Sequence, residues 1–245
     1  MTHESQIAEL IAGLDHPDKP TIRAAVDALI ALASASEDVQ KILYQRLSEE
    51  GHKNYWPVAY VLGHLSQPSR ECLHELIQAL DHPEPDIRWA IALLLVRIAK
   101  KEVDVIQLLS ELCASGTTNQ KRMALYCIRD LALTDPASVA VFIKALNDAD
   151  STVRVAAAIC LKMRSDLDEA GKKTLLQVYL EDKDPKVRNA AAIALAALGS
   201  PSEEFLRVLN EAVESNDPQT KKAASAALDI LEKRRSASTG SLRDR

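Results

Sequence analysis

The sequence predicts an all-α protein, a solenoid of about seven helical hairpins and therefore about 14 helices. Three observations lead to this fold class. One segment, residues 184–198, recurs along the chain at a nearly constant spacing. A second amphipathic segment precedes each copy. No stretch shows the sustained alternation of apolar and polar residues that marks strands between hairpin turns.

The recurring segment has the local chemistry of a helix and its start. Asp184 can accept hydrogen bonds from the free amides of the first turn. Pro185 suits the first helical position, where the N–H that it lacks would have no partner. Counted from Arg188 as position zero, the residues at +2, +3, +6, +7 and +10 are alanine or leucine, and they fall on one helical face. Because that face is mostly alanine, we expect this helix to pack close to its neighbours.

The spacing of the copies defines the repeat. Position zero falls at residues 23, 55, 88, 121, 154, 188 and 221, so the period is about 33 residues. Proline stands at position −3 in four copies, and Ser or Thr stands there in two others. The second copy departs most, because Tyr55 replaces the basic residue and Pro57 enters the helix early.

Seven repeats of this period account for nearly the whole chain of 245 residues. We predict a single array over residues 1–235, with repeats near 5–34, 37–65, 68–99, 101–133, 136–164, 169–198 and 201–234. The last residues, 236–245, lack apolar periodicity and are predicted to form a disordered tail.

Composition argues against several classes of protein. The formal net charge of −5 and the pI near 5.7 disfavour a nucleic-acid partner, which would need many Lys and Arg side chains. No apolar run approaches the roughly 18 residues that span a bilayer, so we expect no membrane partner. The start of the chain lacks the basic and apolar regions of a signal peptide. The four cysteines form no CxxC pair, which is typical of reduced core thiols in a cytoplasmic protein.

Four repeats carry a Val–Arg or Ile–Arg step at the start of the recurring helix: Ile22-Arg23, Ile87-Arg88, Val153-Arg154 and Val187-Arg188. With the turn Asp, the Pro at −3 and the alanine-rich helix, this step makes the chain resemble the HEAT-repeat family in its short bacterial form. The resemblance covers about residues 5–235. It implies a right-handed α–α superhelix whose second helices line a concave surface. It also implies that turn Asp and Arg side chains form a structural ladder between neighbouring repeats, the role expected for Arg23, Arg88, Arg154 and Arg188.

The candidate binding residues lie on the second helices, where +1 and +8 are predicted to face away from the core. Both tryptophans of the protein occupy +1 in adjacent repeats, tyrosines flank them at +5, and arginines continue the row: Trp56, Tyr60, Trp89, Arg122, Tyr126 and Arg129. Exposed aromatic and Arg side chains dominate protein interfaces, so this row is predicted to bind a partner. The alternative, that each Trp packs against the neighbouring second helix, remains open from the sequence.

The predicted function is a non-enzymatic scaffold or adaptor that binds a protein or peptide on its concave surface, without a metal or other cofactor. The six histidines include no HExxH motif and no His/Cys pair with metal-ligand spacing. Deoxyhypusine hydroxylase, a HEAT-like enzyme, carries His-Glu metal-ligand pairs, whereas His3-Glu4 and His74-Glu75 stand at non-equivalent positions here. The alternative function is an enzyme accessory or lyase-like subunit resembling the bilin lyase HEAT proteins, whose concave face needs aromatics to shelter a tetrapyrrole on a chromophore-protein.

Overall fold

The computed structural model describes residues 3–49, 55–65, 67–133, 135–164, 167–198 and 201–240. Within these ranges the chain forms 14 α-helices and no β-strand. The first helices of the hairpins are α1 (His3–Leu14), α3 (Glu37–Leu47), α5 (Arg70–Ala79), α7 (Val103–Ser115), α9 (Pro136–Ala145), α11 (Glu169–Glu181) and α13 (Glu203–Val213). The second helices are α2 (Lys19–Ala35), α4 (Trp56–Leu62), α6 (Pro85–Ala99), α8 (Thr118–Asp130), α10 (Ser151–Leu161), α12 (Pro185–Ala197) and α14 (Pro218–Gly240). The predicted all-α class and its seven hairpins are confirmed.

The second helices begin where their capping residues predict. Asp184 accepts a hydrogen bond from the backbone N–H of Lys186 at 2.8 Å, and Pro185 is the first residue of α12. By contrast, α4 has only seven residues, and Tyr55 at its N-terminus provides no side-chain cap. The repeat that departs most in sequence therefore has the shortest helix among the described residues.

The core follows the predicted helical face. Positions +3 and +6 are buried in all seven repeats, at Val26, Val58, Ile91, Ala124, Ala157, Ala191 and Ala224 and at Leu29, Val61, Leu94, Cys127, Cys160, Ala194 and Ala227. In six hairpins the first and second helices are in contact: α1 with α2, α3 with α4, α5 with α6, α9 with α10, α11 with α12 and α13 with α14.

Second helices also pack against one another, and this contact corrects one expectation. α2 lies against α4 in one part of the chain, and α8, α10, α12 and α14 lie side by side in another. The prediction that +8 faces away from the core is wrong for Gly63, Val96 and Ala196, which are all buried. Small side chains at +4 and +8, such as Ala192 and Ala196, let the second helices approach closely, so both positions are covered.

The chain divides into two compact units, Met1–Ile106 and Gln107–Arg245. The single continuous array over residues 1–235 remains a prediction. Helix α14 continues to Gly240, so the disorder predicted for residues 236–245 is not found at 236–240. Residues 236–239 contain neither Pro nor Gly, and nothing in the local sequence ends the helix before Gly240. Residues 241–245 lie outside the described part of the chain.

In the second unit, ion pairs join the beginning of a second helix to the turn that precedes the next second helix. Three such pairs follow in order: Lys121 Nζ to Asp148 Oδ2 at 2.8 Å, Arg154 to both carboxylate oxygens of Asp182 at 2.7 and 2.9 Å, and Arg188 to Asp217 at 3.6 Å. Arg154 and Arg188 also donate to backbone carbonyls of their own turns. The expected structural ladder is therefore confirmed for these two arginines.

In the first unit, the ladder predicted for Arg88 is wrong, whereas for Arg23 most of the turn that it would reach, residues 50–54, lies outside the described part of the chain. Arg88 donates to the carbonyls of His82 and Pro83 in its own turn, and the equivalent position of the next turn is Ser115, which offers no carboxylate. Arg23 makes no hydrogen bond or ion pair within the residues that the structure describes. Its expected partner position holds Glu49, whose carboxylate is already bound by Arg46 at 2.6 Å.

Candidate interaction surface

The first unit holds three of the six predicted site residues, and each has a different environment. Trp56 is half-buried, and its ring meets the ring of His82 edge-on, with centroids 5.9 Å apart. His82 lies in the turn that leads into α6, so this contact places Trp56 beside the start of α6. The packing alternative therefore describes Trp56 well.

Tyr60 lies one helical turn further along α4 and is also half-buried. Its ring lies 4.7 Å from the ring of His64, and the Nδ1 atom of His64 is 2.8 Å from the carbonyl oxygen of Tyr60. Burial raises the pKa of Tyr60 and lowers the pKa of His64, because a partly desolvated group disfavours its charged form. Tyr60 and His64 therefore form a partly covered ring pair in which burial favours the neutral form of both groups.

Trp89 on α6 is much more open than Trp56. It retains 41% of its accessible surface, and Leu93, one turn further along the same face, retains 62%. Leu93 was missed in the sequence, although it occupies the +5 position that holds Tyr60 and Tyr126 in other repeats. The exposed apolar residues of α6 thus extend over two helical turns.

Helices α4 and α6 approach closely at Gly63, which follows α4. A Cβ atom at Gly63 would lie 2.9 Å from Cδ2 of Leu94 on α6, and Arg97 on α6 donates to the carbonyl of Gly63 at 3.2 Å. The row on α4 and the row on α6 are therefore neighbours. We call Trp56, Tyr60, Trp89 and Leu93 together the aromatic platform.

The second unit holds the other three predicted residues, all on α8. The guanidinium carbon of Arg129 lies 5.0 Å from the ring centroid of Tyr126, a cation–π distance. Arg129 also pairs with Asp130 at 2.7 Å. Arg122 is half-buried, and its Nε atom is buried without a hydrogen-bond partner. The sequence predicted one row, and the structure places three of its members in each unit.

The histidines of the turns and the four cysteines have surroundings that suit a structural role. The Nδ1 atoms of His16 and His82 accept the backbone N–H of the residue two positions later, each at 3.1 Å. The four cysteines are free and buried, and burial raises the pKa of Cys72 and of Cys113 to about 12. Among the described residues no group of three His, Cys, Asp or Glu side chains could hold a metal ion. No helix in the described part of the chain is long and apolar enough to cross a membrane.

Residues 139–229 match the family model of HEAT repeats, which confirms the predicted resemblance for that part of the chain. A comparison with curated protein sequences found no match. The structure of Escherichia coli YibA is similar over 95% of this chain and 97% of that chain, at 18% identity and a TM-score of 0.49.

Two further solved structures show similarity at lower scores. A designed armadillo repeat protein in complex with the peptide (KR)4 matches 92% of this chain and 99% of its own, at 17% identity and a TM-score of 0.43. Human deoxyhypusine hydroxylase in complex with glycerol matches 94% and 97%, at 15% identity and a TM-score of 0.44. Similarity at this level carries no argument about ligands or activity, so the function is proposed from the residues of this chain.

Proposed function

We propose that this protein is a non-enzymatic scaffold that binds a protein or peptide partner through the exposed face of its second helices. Stacked helical hairpins commonly present such a surface to a partner. In the first unit the aromatic platform is the contact surface, and in the second unit Arg122, Tyr126 and Arg129 contribute from α8. The observation that carries the proposal is the exposure of Trp89 and Leu93, adjacent on one face of α6.

The four platform residues have different roles in this proposal. Trp89 and Leu93 are the anchors, because they keep the most surface to bury against a partner. Trp56 and Tyr60 support them, since their rings are already held by His82 and His64. In this proposal Trp56 is a packing residue and Trp89 is a binding residue.

The size of the expected effect follows from the exposed area of Trp89. Its 41% exposure corresponds to roughly 100 Å² of side-chain surface, given the typical area of an indole. Covering that surface is worth about 2.5 kcal/mol at the usual area coefficient. Trp is also the residue type that most often dominates the energy of protein interfaces.

The test is affinity capture from the native lysate with the full chain as bait, followed by mass spectrometry. The variant combines Trp89→Ala with Leu93→Ser. We expect it to lose a protein that the wild type retains, while its melting temperature changes little, because both side chains are already exposed.

A matched control removes an exposed apolar side chain elsewhere in the same unit. Ile42 on the first helix α3 is 37% exposed, and Ile42→Ser should retain the partner. The proposal fails if the Trp89/Leu93 variant melts several degrees lower and still captures every protein that the wild type captures. That result would make α6 a packing surface.

A further inference from the structure

A second surface, on two neighbouring helices of the second unit, combines exposed apolar side chains with cations. We call it the α8–α10 face. It consists of Arg122, Tyr126 and Arg129 on α8, and of Ile159, Lys162 and Met163 on or directly after α10. The two helices are in contact, and the Sγ atom of Cys160 on α10 lies 3.5 Å from the carbonyl oxygen of Leu125 on α8. The six residues therefore belong to one continuous surface.

The apolar part of the α8–α10 face lies on the α10 side. Ile159 is 36% exposed and Met163 is 68% exposed, and residues four apart share one helical face. Tyr126 on α8 is half-buried beside them. This arrangement offers a partner an aliphatic strip next to an aromatic edge. An aliphatic side chain of the partner can cover the strip.

Two of the cations on this face differ from the basic residues that begin the second helices of this unit. Lys121, Arg154 and Arg188 are all paired with aspartates in the turns. Arg122 and Lys162, in contrast, have no ion pair among the residues that the structure describes, and Nε of Arg122 is a buried donor without an acceptor. An unsatisfied buried N–H is costly and is expected to have a partner in the functional state.

The positive charge of Arg129 is already neutralised by a neighbouring carboxylate. Arg129 pairs with Asp130 and lies over the ring of Tyr126. Arg122 and Lys162 therefore carry the net positive charge of the face, in a chain whose formal net charge is −5. A partner with carboxylates next to aliphatic residues complements both properties.

We propose that the α8–α10 face binds an acidic peptide segment, with Glu or Asp carboxylates at Arg122 and Lys162 and an aliphatic side chain on Ile159 and Met163. Packed helices lie about 10 Å apart, and an extended chain advances about 3.3 Å per residue, so about three residues reach from one helix to the next. The inference rests on the proposed peptide-binding function, but it uses residues outside the aromatic platform.

Fluorescence anisotropy with the full chain tests whether the α8–α10 face binds an acidic peptide. The probe is a fluorescein-labelled peptide of repeated Glu-Leu-Glu-Gly, compared with peptides in which Gln or Lys replaces Glu. We expect the Glu peptide to bind about tenfold more tightly than the Gln peptide and the Lys peptide to bind weakest. Arg122→Gln and Lys162→Gln should each weaken the Glu peptide about fivefold.

Three further variants keep the test specific. Arg207→Gln removes an exposed Arg of the same unit on the first helix α13 and should leave affinity unchanged. Arg122→Glu should reverse the order of the Glu and Lys peptides. Circular dichroism melting must show each variant folded, and Arg122→Lys, which keeps the charge, should retain most of the binding.

Three results would overturn the inference. The Glu and Gln peptides could bind equally, or Arg207→Gln could weaken binding as much as Arg122→Gln. Alternatively, an oligothymidylate could bind at Arg122 more tightly than the Glu peptide, which would identify a nucleic-acid surface instead.

The proposed function is tested separately, because Trp89→Ala with Leu93→Ser removes platform contacts without touching the α8–α10 face. If that variant loses its captured partner while the Arg122 variants keep every affinity, the proposed function stands and this inference fails.

Discussion

The same place in the repeat is chemically different in the two units. In the second unit, the beginning of a second helix is joined by an ion pair to the turn before the next one, and the side chains of Arg154 and Asp182 are only 16% and 8% exposed. In the first unit, Lys19 at the start of α2 binds Glu84 and Asp86 near the start of α6, with its own side chain 51% exposed. Lys121–Asp148 and Arg154–Asp182 in the second unit are thus covered charge pairs, whereas the pairs that Lys19 makes in the first unit are exposed.

This difference bears on where a binding surface can form. In the second repeat Tyr55 stands where the other copies have Arg or Lys, its side chain does not cap α4, and α4 is short. It also carries Trp56 and Tyr60, whose rings contact the rings of His82 and His64. The repeat that departs most from the pattern therefore contributes two residues, Trp56 and Tyr60, to the aromatic platform beside Trp89 and Leu93.

The largest effect should come from breaking the covered pair in the second unit. Asp182→Ala leaves Arg154 without its two carboxylate contacts and removes the acceptor for the backbone N–H of Asp184. Charged hydrogen bonds of this kind are worth about 2–3 kcal/mol when they are lost. Urea unfolding followed by circular dichroism should show that decrease in the free energy of unfolding.

Lys19→Ala is the matched variant in the first unit. Because the ion pairs of Lys19 are exposed to solvent and screened, we expect the urea midpoint to remain at the wild-type value. Equal losses in Asp182→Ala and Lys19→Ala would contradict the distinction between covered and exposed turn contacts.

An intermediate effect should follow from adding one methyl group between α4 and α6. A Cβ atom at Gly63 would approach Leu94 Cδ2 to 2.9 Å, Leu76 Cδ1 to 3.0 Å and the carbonyl oxygen of Ala59 to 3.1 Å. Gly63→Ala should therefore destabilise the protein by about 1–2 kcal/mol through overpacking. Thermal denaturation provides the measurement.

The equivalent +8 position in the sixth repeat is Ala196, which is fully buried. Because α12 already accommodates a methyl group there, Ala196→Gly should also destabilise, by about 1 kcal/mol, through lost helix propensity. A stabilising Gly63→Ala variant would show that α4 and α6 have room to separate.

Much of this fold could be predicted from the sequence because its determinants are periodic. Burial at +3 and +6 could be predicted from the position of each residue relative to Arg188 or its equivalents. The start of α12 could be predicted from Asp184 and Pro185. Exposure was harder to predict, since it depends on a neighbour outside the repeat. Trp56 and Trp89 share one offset, yet Trp56 is half-buried with its ring against His82, whereas Trp89 is 41% exposed.

Two errors have the same physical origin. Position +8 was expected to be open because a single helix shows only its own faces, whereas the packing of α12 between α10 and α14 covers Ala196. The ladder was expected at Arg88 because Arg recurs there, but an ion pair needs a carboxylate in the next turn, and Ser115 stands in that place. The exposed Leu93 and Ile159 could have been found by extending the +5 row that begins with Tyr60.

The smallest effect concerns pH and again separates the two units. The Nδ1 atom of His82 accepts the backbone N–H of Glu84, in the place where Asp148 and Asp182 accept the same bond in the second unit. Burial is the main cause that lowers the pKa of His82 below its ordinary value of 6.5. The nearby carboxylates of Glu84 and Asp86 raise this pKa, and the cations of Arg88 and Lys19 lower it. The fold thus favours the neutral ring, because a protonated Nδ1 cannot accept.

The stabilisation from His82 is therefore complete above pH 6.5 and is lost as the pH falls through that value toward the lowered pKa. In His82→Asn, the amide oxygen can accept the same N–H but does not titrate. Between pH 7 and pH 5, we expect wild-type stability to fall by about 0.5 kcal/mol relative to this variant, as measured by melting at each pH.

His74→Asn replaces an exposed histidine of the same unit and should follow the wild-type profile. If His82→Asn follows it as well, the Nδ1 contact contributes nothing to the pH dependence, and the first-unit turn is as insensitive to mild acid as its aspartate counterparts.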